Sequence, residues 1–194
     1  MSAPLRDHFV EMARNNAWSN LRLYTACRAL PAQALSAPGT SFFPSILATL
    51  QHNWIVDAYY VDGLEGAGRG AAIWSDEGKL SDVEALWTAQ QALDRRLHEV
   101  CARVTTDAEL EALVTLERRT GPKQDRMRDV LAHLFVHQIH HRGQTHAMLA
   151  GTAVKPPQLD EYFMAAERPI AERELTEIWP ACVREPMDAT PLPA

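Results

Sequence analysis

The chain has 194 residues, of which 46% are hydrophobic, and its formal net charge is −6 at neutral pH. This length and composition suit one globular domain with a sizeable core. The acidic balance and the lack of any Lys/Arg run argue against a nucleic-acid partner. The apolar stretches are too short to cross a membrane, and the first residues lack the pattern of a secretion signal.

Three isolated cysteines, Cys27, Cys101 and Cys182, form neither a CxxC motif nor an even-numbered set. Such a pattern fits reduced thiols in a cytoplasmic protein better than a disulfide framework. We therefore expect a cytoplasmic protein with a single domain over residues 1–180. The proline-containing residues 181–194 are expected to form a tail.

Residues 4–30 predict the first helix, because apolar residues recur there at three- and four-residue steps. Pro31 ends this pattern. Asn16 and Asn20 lie on the apolar stripe, and we expect their amides to hydrogen-bond to neighbouring helices. Residues 31–41 predict a linker that contains a Pro-Gly turn.

A second helix is predicted over residues 42–64, which are apolar on nearly every side, as in a well-buried helix of a bundle. Thr40 or Ser41 would cap it. His52 lies in the middle of this helix on an interior stripe, which makes it a candidate metal ligand. The glycine-rich residues 65–78 match no phosphate-binding motif, and they predict a flexible loop that could face a substrate.

Residues 81–104 predict a third helix, which opens with a capping box of Ser81 and Glu84. Several charged residues predict a solvated face on this helix, and His98 beside them is expected to be exposed. These charged residues are Asp94, Arg95, Arg96 and Glu99. Residues 105–122 leave two possibilities open, a short hairpin or a helical turn.

Residues 123–150 predict the fourth long helix, with Gly151 as its C-terminal stop, and they hold five of the eight histidines. His137 and His141 are four residues apart, so they lie on the same face of a helix. That face continues through apolar residues and predicts a core-facing stripe, where both imidazoles need a partner. A metal ion suits this spacing best, and hydrogen-bonded core histidines are the alternative. His52 adds a third candidate ligand from another buried helix, and bundle cores are a common place for metal sites.

Beyond this helix, residues 169–179 predict a short C-terminal helical segment. The fold class expected from the sequence is therefore all-α, a bundle of four long amphipathic helices with that short segment at its end. No internal repeat and no convincing strand pair are evident.

Short motifs occur in three of these helices. Residues 12–20 hold an Asn, a Trp and a second Asn at steps of two, and residues 43–52 end in a histidine. Residues 133–144 hold two histidines four apart, followed directly by Arg-Gly-Gln. Together they resemble the motifs of the DinB-like (damage-inducible, YfiT-like) metal-binding proteins. The resemblance covers most of the chain.

This resemblance implies a four-helix bundle with up-down-down-up connectivity, often a homodimer, that holds a divalent metal on three histidines. The implied ligands are His52, His137 and His141. By the same resemblance, His133 is expected either to pack against its neighbours or to support a metal ligand without binding the metal itself. His140 points about 100° away from its neighbour on the helix, and His146 lies beyond the motif, so we expect neither to be a ligand.

Three neutral imidazoles leave positions open on a metal ion, which is the form of a catalytic site rather than of a closed structural one. Zinc is the first expectation, and imidazole also suits nickel, iron or manganese. A zincin-type protease is disfavoured, because Gln138 stands where the general-base Glu of an HExxH helix would be. A base could come instead from Asp57, Asp62 or Glu65, and the catalytic residues stay unassigned.

Some members of the family that the chain resembles look like thiol-dependent S-transferases or isomerases, and others look like hydrolases. The resemblance therefore implies one of these two classes of activity. A metal on three histidines suits the first chemistry, because a coordinated thiol is deprotonated. We therefore expect a metal-dependent thiol S-transferase that acts on a small-molecule electrophile, with a low-molecular-weight thiol as co-substrate. The alternatives are a metal-dependent hydrolase, a non-catalytic metal-binding stress-response protein, and a bundle whose metal is merely structural. A cleft with apolar and basic walls above the metal position would favour the enzyme.

Overall fold

Four long helices dominate the computed structural model, which describes residues 4–118 and 120–179. Helices make up 67% of it, so the all-α prediction holds broadly, but a two-stranded sheet accompanies the helices. In chain order the regular elements are α1 (Pro4–Arg28), α2 (Ala32–Ser36), α3 (Ile46–Glu65), a 3₁₀ helix (Gly70–Asp76), α4 (Val83–Arg103), a second 3₁₀ helix (Asp107–Glu111), β1 (Leu113–Arg118), β2 (Gly121–Arg126), α5 (Met127–Leu149) and α6 (Arg168–Ile178).

The long helices α1, α3, α4 and α5 pack around one apolar core. Helix α1 packs most extensively on α4, α3 packs on both α4 and α5, and α5 also contacts α1. Helices α4 and α5 therefore lie between α1 and α3. Side chains from all four are fully buried, among them Trp18, Leu23, Ile55, Leu86, Leu131 and Leu134. Since each such side chain stabilises the fold by roughly 1.5–3 kcal/mol, this core holds the helices in place. The up-down-down-up connectivity stays a prediction.

Helices α3 and α4 begin at caps other than those predicted. The Ser45 hydroxyl accepts a hydrogen bond from the backbone N–H three residues later, so neither Thr40 nor Ser41 caps α3. Asp82 caps α4 in the same way, and the predicted capping box on Ser81 is therefore wrong. Both true caps have an extended backbone directly before the first helical residue, which aims their short polar side chains at the first turn.

The segment that the sequence left open as a hairpin or a helical turn contains both, the second 3₁₀ helix over Asp107–Glu111 and then a hairpin. Strands β1 and β2 pair antiparallel with Arg118 opposite Gly121, so the view that no strand pair exists was wrong. Gly121 has a φ of 97°, a left-handed conformation that glycine adopts without strain. Only β1 alternates between buried and exposed residues, whereas nearly all of β2 is exposed and gives no periodicity to detect. Helix α5 consequently begins at Met127 rather than at residue 123.

Two segments predicted as irregular contain short helices. The linker after α1 holds α2, and the glycine-rich loop holds the first 3₁₀ helix. Gly66, with a φ of 67°, ends α3 in the left-handed conformation typical of helix C-caps. The Asp62 carboxylate then accepts hydrogen bonds from the backbone N–H groups of Arg69 and Gly70, at 3.3 and 2.9 Å. The start of this loop is therefore tied to the end of α3.

The chain divides into two compact units, Met1–Gln158 and Leu159–Ala194. The described part of the second unit contains α6, which matches the short helical segment predicted near the C-terminus. A single domain over residues 1–180 stays a prediction, and the predicted tail, residues 181–194, lies outside the described residues. None of the helices in the described part of the chain has the length and apolar character needed to span a membrane.

Candidate metal centre

Helices α3 and α5 pack against each other and bring three histidines together. His52 lies on α3, and His137 and His141 lie one turn apart on α5. The Nε2 atoms of His52 and His137 are 3.2 Å apart, and the ring centroids of His137 and His141 are 4.4 Å apart. One ring nitrogen from each of the three lies within 4.8 Å of the other two. The structure thus assembles, as one group, the three residues that the sequence singled out.

The spacing of these nitrogens suits a divalent metal ion. An ion bonded to two imidazole nitrogens at about 2.0–2.1 Å holds them about 3–3.4 Å apart, and the pair formed by His52 and His137 already lies in that range. Two ring nitrogens this close share either one proton or one cation, and a third nitrogen beside them favours the cation. The residues present therefore fit a divalent metal.

Burial keeps all three imidazoles in the neutral form. Burial, with a smaller contribution from His141, lowers the pKa of His52 to about 4. Burial and the charges of the neighbouring histidines lower the pKa of His137 to about 3. Burial also lowers the pKa of His141, although the hydrogen bond with Gln144 partly opposes the shift. Because metals bind the unprotonated imidazole, the group is ready for a metal at neutral pH.

Phe43 and Gln144 contact two of the three imidazole rings, those of His52 and His141. The Phe43 ring centroid lies 4.2 Å from that of His52 and 5.5 Å from that of His141. Gln144 Oε1 is 2.8 Å from His141 Nδ1. An amide oxygen only accepts, so Nδ1 carries the proton and Nε2 is left free for a metal. The Gln144 amide nitrogen also lies 3.1 Å from His140 Nε2, and donates to it.

Replacing Gln144 with leucine is expected to lower metal affinity by about 10–100-fold, the usual loss when the hydrogen-bonding partner of a ligand is removed. Leucine has a similar size but cannot accept from His141 Nδ1, so the ring loses its orientation. Competition with a chromophoric chelator measures the affinity. Gln91→Leu on the half-buried face of α4 is the matched control. An equal loss in both variants, or no loss in Gln144→Leu, would contradict this role.

The other histidines considered in the sequence lie outside this group. His140 is exposed, and His146 Nε2 lies 2.9 Å from a backbone carbonyl oxygen. His133 is exposed as well, with its ring centroid 5.1 Å from that of Tyr60. His98 is half-buried, so the expectation that it would be exposed was wrong.

A family model, described as the DinB family, matches residues 1–174 of the chain. The chain belongs to the DinB family. This confirms the family resemblance that the three sequence motifs indicated. No curated protein sequence matches the chain at a significant level. Membership in the DinB family and the three-histidine group are together compatible with a metal-binding protein.

A buried polar network joins the four long helices of this DinB-family chain. The Asp94 carboxylate on α4, which is 4% exposed, accepts hydrogen bonds from Asn16 and Asn20 of α1, at 3.1 and 3.0 Å. Arg142 on α5, which is 5% exposed, donates to the side-chain oxygens of the same two asparagines. The asparagines therefore link a buried carboxylate to a buried guanidinium, and the prediction that they bond neighbouring helices is confirmed.

The prediction that Asp94 lies on a solvated face of α4 was wrong, because its side chain is buried. A signal was available, because Asp94 lies four residues after Gln90 and therefore shares the face of α4 that faces the core. Gln90 Nε2 donates to both Asp94 and Asp57, at 3.2 and 2.8 Å. The charged neighbours of Asp94 in the chain suggested that its side chain is exposed to solvent, whereas the helical periodicity would have indicated that it is buried.

The same network reaches the histidines through Gln138. Its Oε1 accepts from Arg142 and from Asn53 Nδ2, each at 3.2 Å. Gln138 directly follows His137, Arg142 directly follows His141, and Asn53 directly follows His52. Each histidine thus has a neighbour anchored in the network, and this sets how α3 and α5 are rotated toward each other.

The three carboxylates considered as general bases have other partners. Asp62 accepts backbone hydrogen bonds in the glycine-rich loop, and Glu65 forms an ion pair with Arg96 at 2.6 Å. Asp57 is buried and accepts from Gln90, and burial raises its pKa to about 7. The general base therefore stays unassigned.

A cavity of about 380 Å³ adjoins the histidine group. His137 lines it together with apolar and aromatic side chains, including Tyr59, Tyr60 and Trp74, and with the basic side chain of Arg118. The sequence did not predict this cavity, because its walls come from α3, α5, the hairpin and the first 3₁₀ helix, which are far apart in the chain. This is the kind of cleft that the enzyme hypothesis requires beside the metal position.

Proposed function

We propose that this DinB-family chain binds a divalent metal through His52, His137 and His141, and catalyses the transfer of a low-molecular-weight thiol to a small electrophile. The observation that supports the proposal most directly is that three neutral imidazoles meet beside a cavity with aromatic and basic walls. A closed structural metal would need no such cavity. Zinc is the first metal to test, followed by nickel, iron and manganese.

A bound metal would supply a Lewis acid that favours the deprotonated form of a thiol. In the reaction we propose, the thiol sulfur loses its proton to solvent and forms a bond to the electrophilic carbon, while the bond from that carbon to the leaving group breaks. The residues of the chain keep the imidazoles unprotonated by burial, and Phe43 covers one side of the histidine group. The aromatic walls of the cavity would contact the apolar part of the electrophile.

A hydrolase is the weaker candidate, because hydrolysis needs a base to activate water. Gln138 occupies the sequence position of a zincin base but is fully buried in the polar network. The carboxylates of Asp62 and Glu65 are engaged elsewhere. A thiol, whose pKa is far lower than that of water, has less need of such a base. A metal-binding protein without turnover is the remaining alternative, and the assay below separates it from an enzyme.

The assay uses 1-chloro-2,4-dinitrobenzene and its anionic analogue 4-chloro-3,5-dinitrobenzoate as electrophiles, each with a panel of thiols that includes cysteine and glutathione. We expect thioether formation above the uncatalysed rate with metal-loaded protein, and loss of this excess after chelation and in His52→Ala. The absorbance of the dinitrophenyl thioether measures the rate. A protein that holds about one metal ion per chain yet accelerates none of these reactions would contradict the transferase and favour the non-catalytic alternative.

We further propose a cytoplasmic homodimer. Val136 and Ile139 expose 66% and 52% of their surface on α5, and such apolar positions could be covered by a second copy. Sedimentation analysis over a range of concentrations tests the dimer, and a monomer at every concentration would contradict it.

A further inference from the structure

The cavity beside His137 has a continuous aromatic wall. The Tyr59 ring centroid lies 5.2 Å from those of both Tyr60 and Trp74. The Tyr60 ring in turn lies 5.1 Å from that of His133. The Tyr59 hydroxyl already donates to the Glu117 carbonyl at 3.0 Å, so its ring rather than its polar end is available to a ligand. Such a wall suits a flat, apolar group, since aromatic rings stack on one another at these distances.

One full charge lies on this wall. Among the described residues that line the cavity, Arg118 is the one whose side chain carries a permanent charge. Burial raises the pKa of Tyr59 and Tyr60, and the charge of Arg118 partly offsets that rise in both. The guanidinium therefore lies within electrostatic reach of the two rings that a ligand would contact.

Arg118 is only loosely engaged by the protein. Its one ion pair within the described residues joins it to Asp125 at 3.8 Å, and both side chains are nearly half exposed. A long, solvent-exposed pair of this kind is weak, so a ligand anion can replace it. A smaller adjoining cavity, of about 230 Å³, shares Arg118 but also carries Asp125 and Asp129, which repel an anion. An anionic ligand on Arg118 is thereby directed toward the side that contains His137.

We propose that this cavity binds the electrophilic substrate, that the substrate is a small molecule with a flat apolar body and one anionic group, and that Arg118 is the residue that selects the anion. This inference rests on the proposed function, because it assigns the cavity to the electrophile rather than to the thiol. Low-molecular-weight thiols are strongly hydrophilic, and an aromatic wall offers them few hydrogen bonds. A flat apolar electrophile gains contact with Tyr59, Tyr60 and Trp74, and its anion gains a charge-assisted hydrogen bond.

The test compares two probes of the same shape, naphthalene-2-sulfonate and the uncharged 2-(methylsulfonyl)naphthalene. Isothermal titration calorimetry measures their affinity for the full-length protein, both metal-loaded and after chelation. We expect the sulfonate to bind the wild type about ten- to a hundredfold more tightly than the sulfone. In Arg118→Gln the sulfonate should lose that advantage, whereas the affinity for the sulfone stays the same. In Trp74→Leu both probes should bind more weakly.

Arg126→Gln is the matched control, because Arg126 belongs to the same hairpin, does not line the cavity and loses the same charge on substitution. Equal sulfonate affinity in wild type and Arg118→Gln, an equal loss in Arg126→Gln, or no binding of either probe would overturn the inference. Sulfonate is a poor metal ligand, so the dependence on Arg118 should persist after chelation. Arg118-dependent binding without thiol transfer would reject only the proposed function, and thiol transfer with Arg118-independent binding would reject only this inference.

Discussion

Replacing His137 with alanine is expected to lower the metal affinity of the protein by more than about a hundredfold, beyond the loss typical of residues around a ligand. The same result is expected for His52→Ala and His141→Ala, because each removes one of three nitrogens that lie within 4.8 Å of one another. The helices should remain formed, since alanine is the best helix former and the core is mostly apolar. Elemental mass spectrometry measures metal content, and circular dichroism measures helix content.

His140→Ala provides the matched control for this series. His140 is adjacent to His141 and exposed, its ring centroid lies 4.8 Å from that of His141, and its Nε2 accepts from Gln144, but it is not one of the three grouped ligand candidates. Its metal content should stay near the wild-type value of about one ion per chain. A wild-type metal content in His137→Ala or His52→Ala would exclude those residues as ligands. A large loss in His140→Ala would mean that the wrong member of the adjacent pair had been chosen.

The second large effect is expected from Arg142→Met, which should lower the free energy of unfolding by about 3–5 kcal/mol at neutral pH. Methionine fills similar space but leaves the Asp94 and Asp57 carboxylates without the buried positive charge that now lowers the pKa of both. Asn16 and Asn20 also lose the donor to their side-chain oxygens. Urea denaturation of the chelated protein measures the change without a contribution from bound metal.

The loss in the free energy of unfolding that Arg142→Met causes should depend on pH in a defined direction. Burial raises the pKa of Asp57 to about 7 and that of Asp94 to about 6, above the value of 3.8 for an unperturbed carboxyl. At a pH between the unperturbed pKa and the raised pKa, the folded state binds more protons than the unfolded state. The contribution of these two carboxyl groups to the free energy of unfolding therefore falls as the pH rises from about 4 to 7. Without Arg142 both carboxyl groups become harder to ionise. The stability deficit of the variant should therefore be small near pH 4 and should grow as the pH rises past about 6 and then past about 7, where the two carboxyl groups ionise in the intact protein.

Two comparisons complete this experiment. Adding Asp94→Asn to Arg142→Met should restore part of the stability at neutral pH, because it removes one unpaired buried charge. Arg103→Met removes an exposed arginine from the end of α4 and should change stability by less than about 0.5 kcal/mol. A loss in Arg142→Met no larger than that in Arg103→Met, or a loss that does not vary with pH, would contradict the structural role of the network.

The parts of the fold that the sequence predicted well are those governed by neighbours in the chain. The four long helices were located within a few residues because helical periodicity is a local property. The shared face of His137 and His141 follows from the same 3.6-residue period. The errors occur where local signals are weak or misleading, as in the exposed strand β2 and the caps of α3 and α4.

Other features depend on residues that are distant in sequence. Asp94 was expected in solvent because its neighbours in the chain are charged, yet Asn16 and Asn20 bury it from 78 and 74 residues away. The cavity has no signature in any one segment, because α3, α5, the hairpin and the first 3₁₀ helix each contribute only part of its wall.

The sequence by itself determined the helical class, the DinB family and the three histidines worth testing, because periodicity and short motifs are properties of contiguous residues. It could not determine that His52 and His137, 85 residues apart, would approach within 3.2 Å. That distance depends on how α3 and α5 pack and how the buried network around Gln138 and Arg142 sets their rotation. Only the tertiary structure decided this, together with the cavity beside the histidines, since both arise from side-chain packing between helices rather than within one.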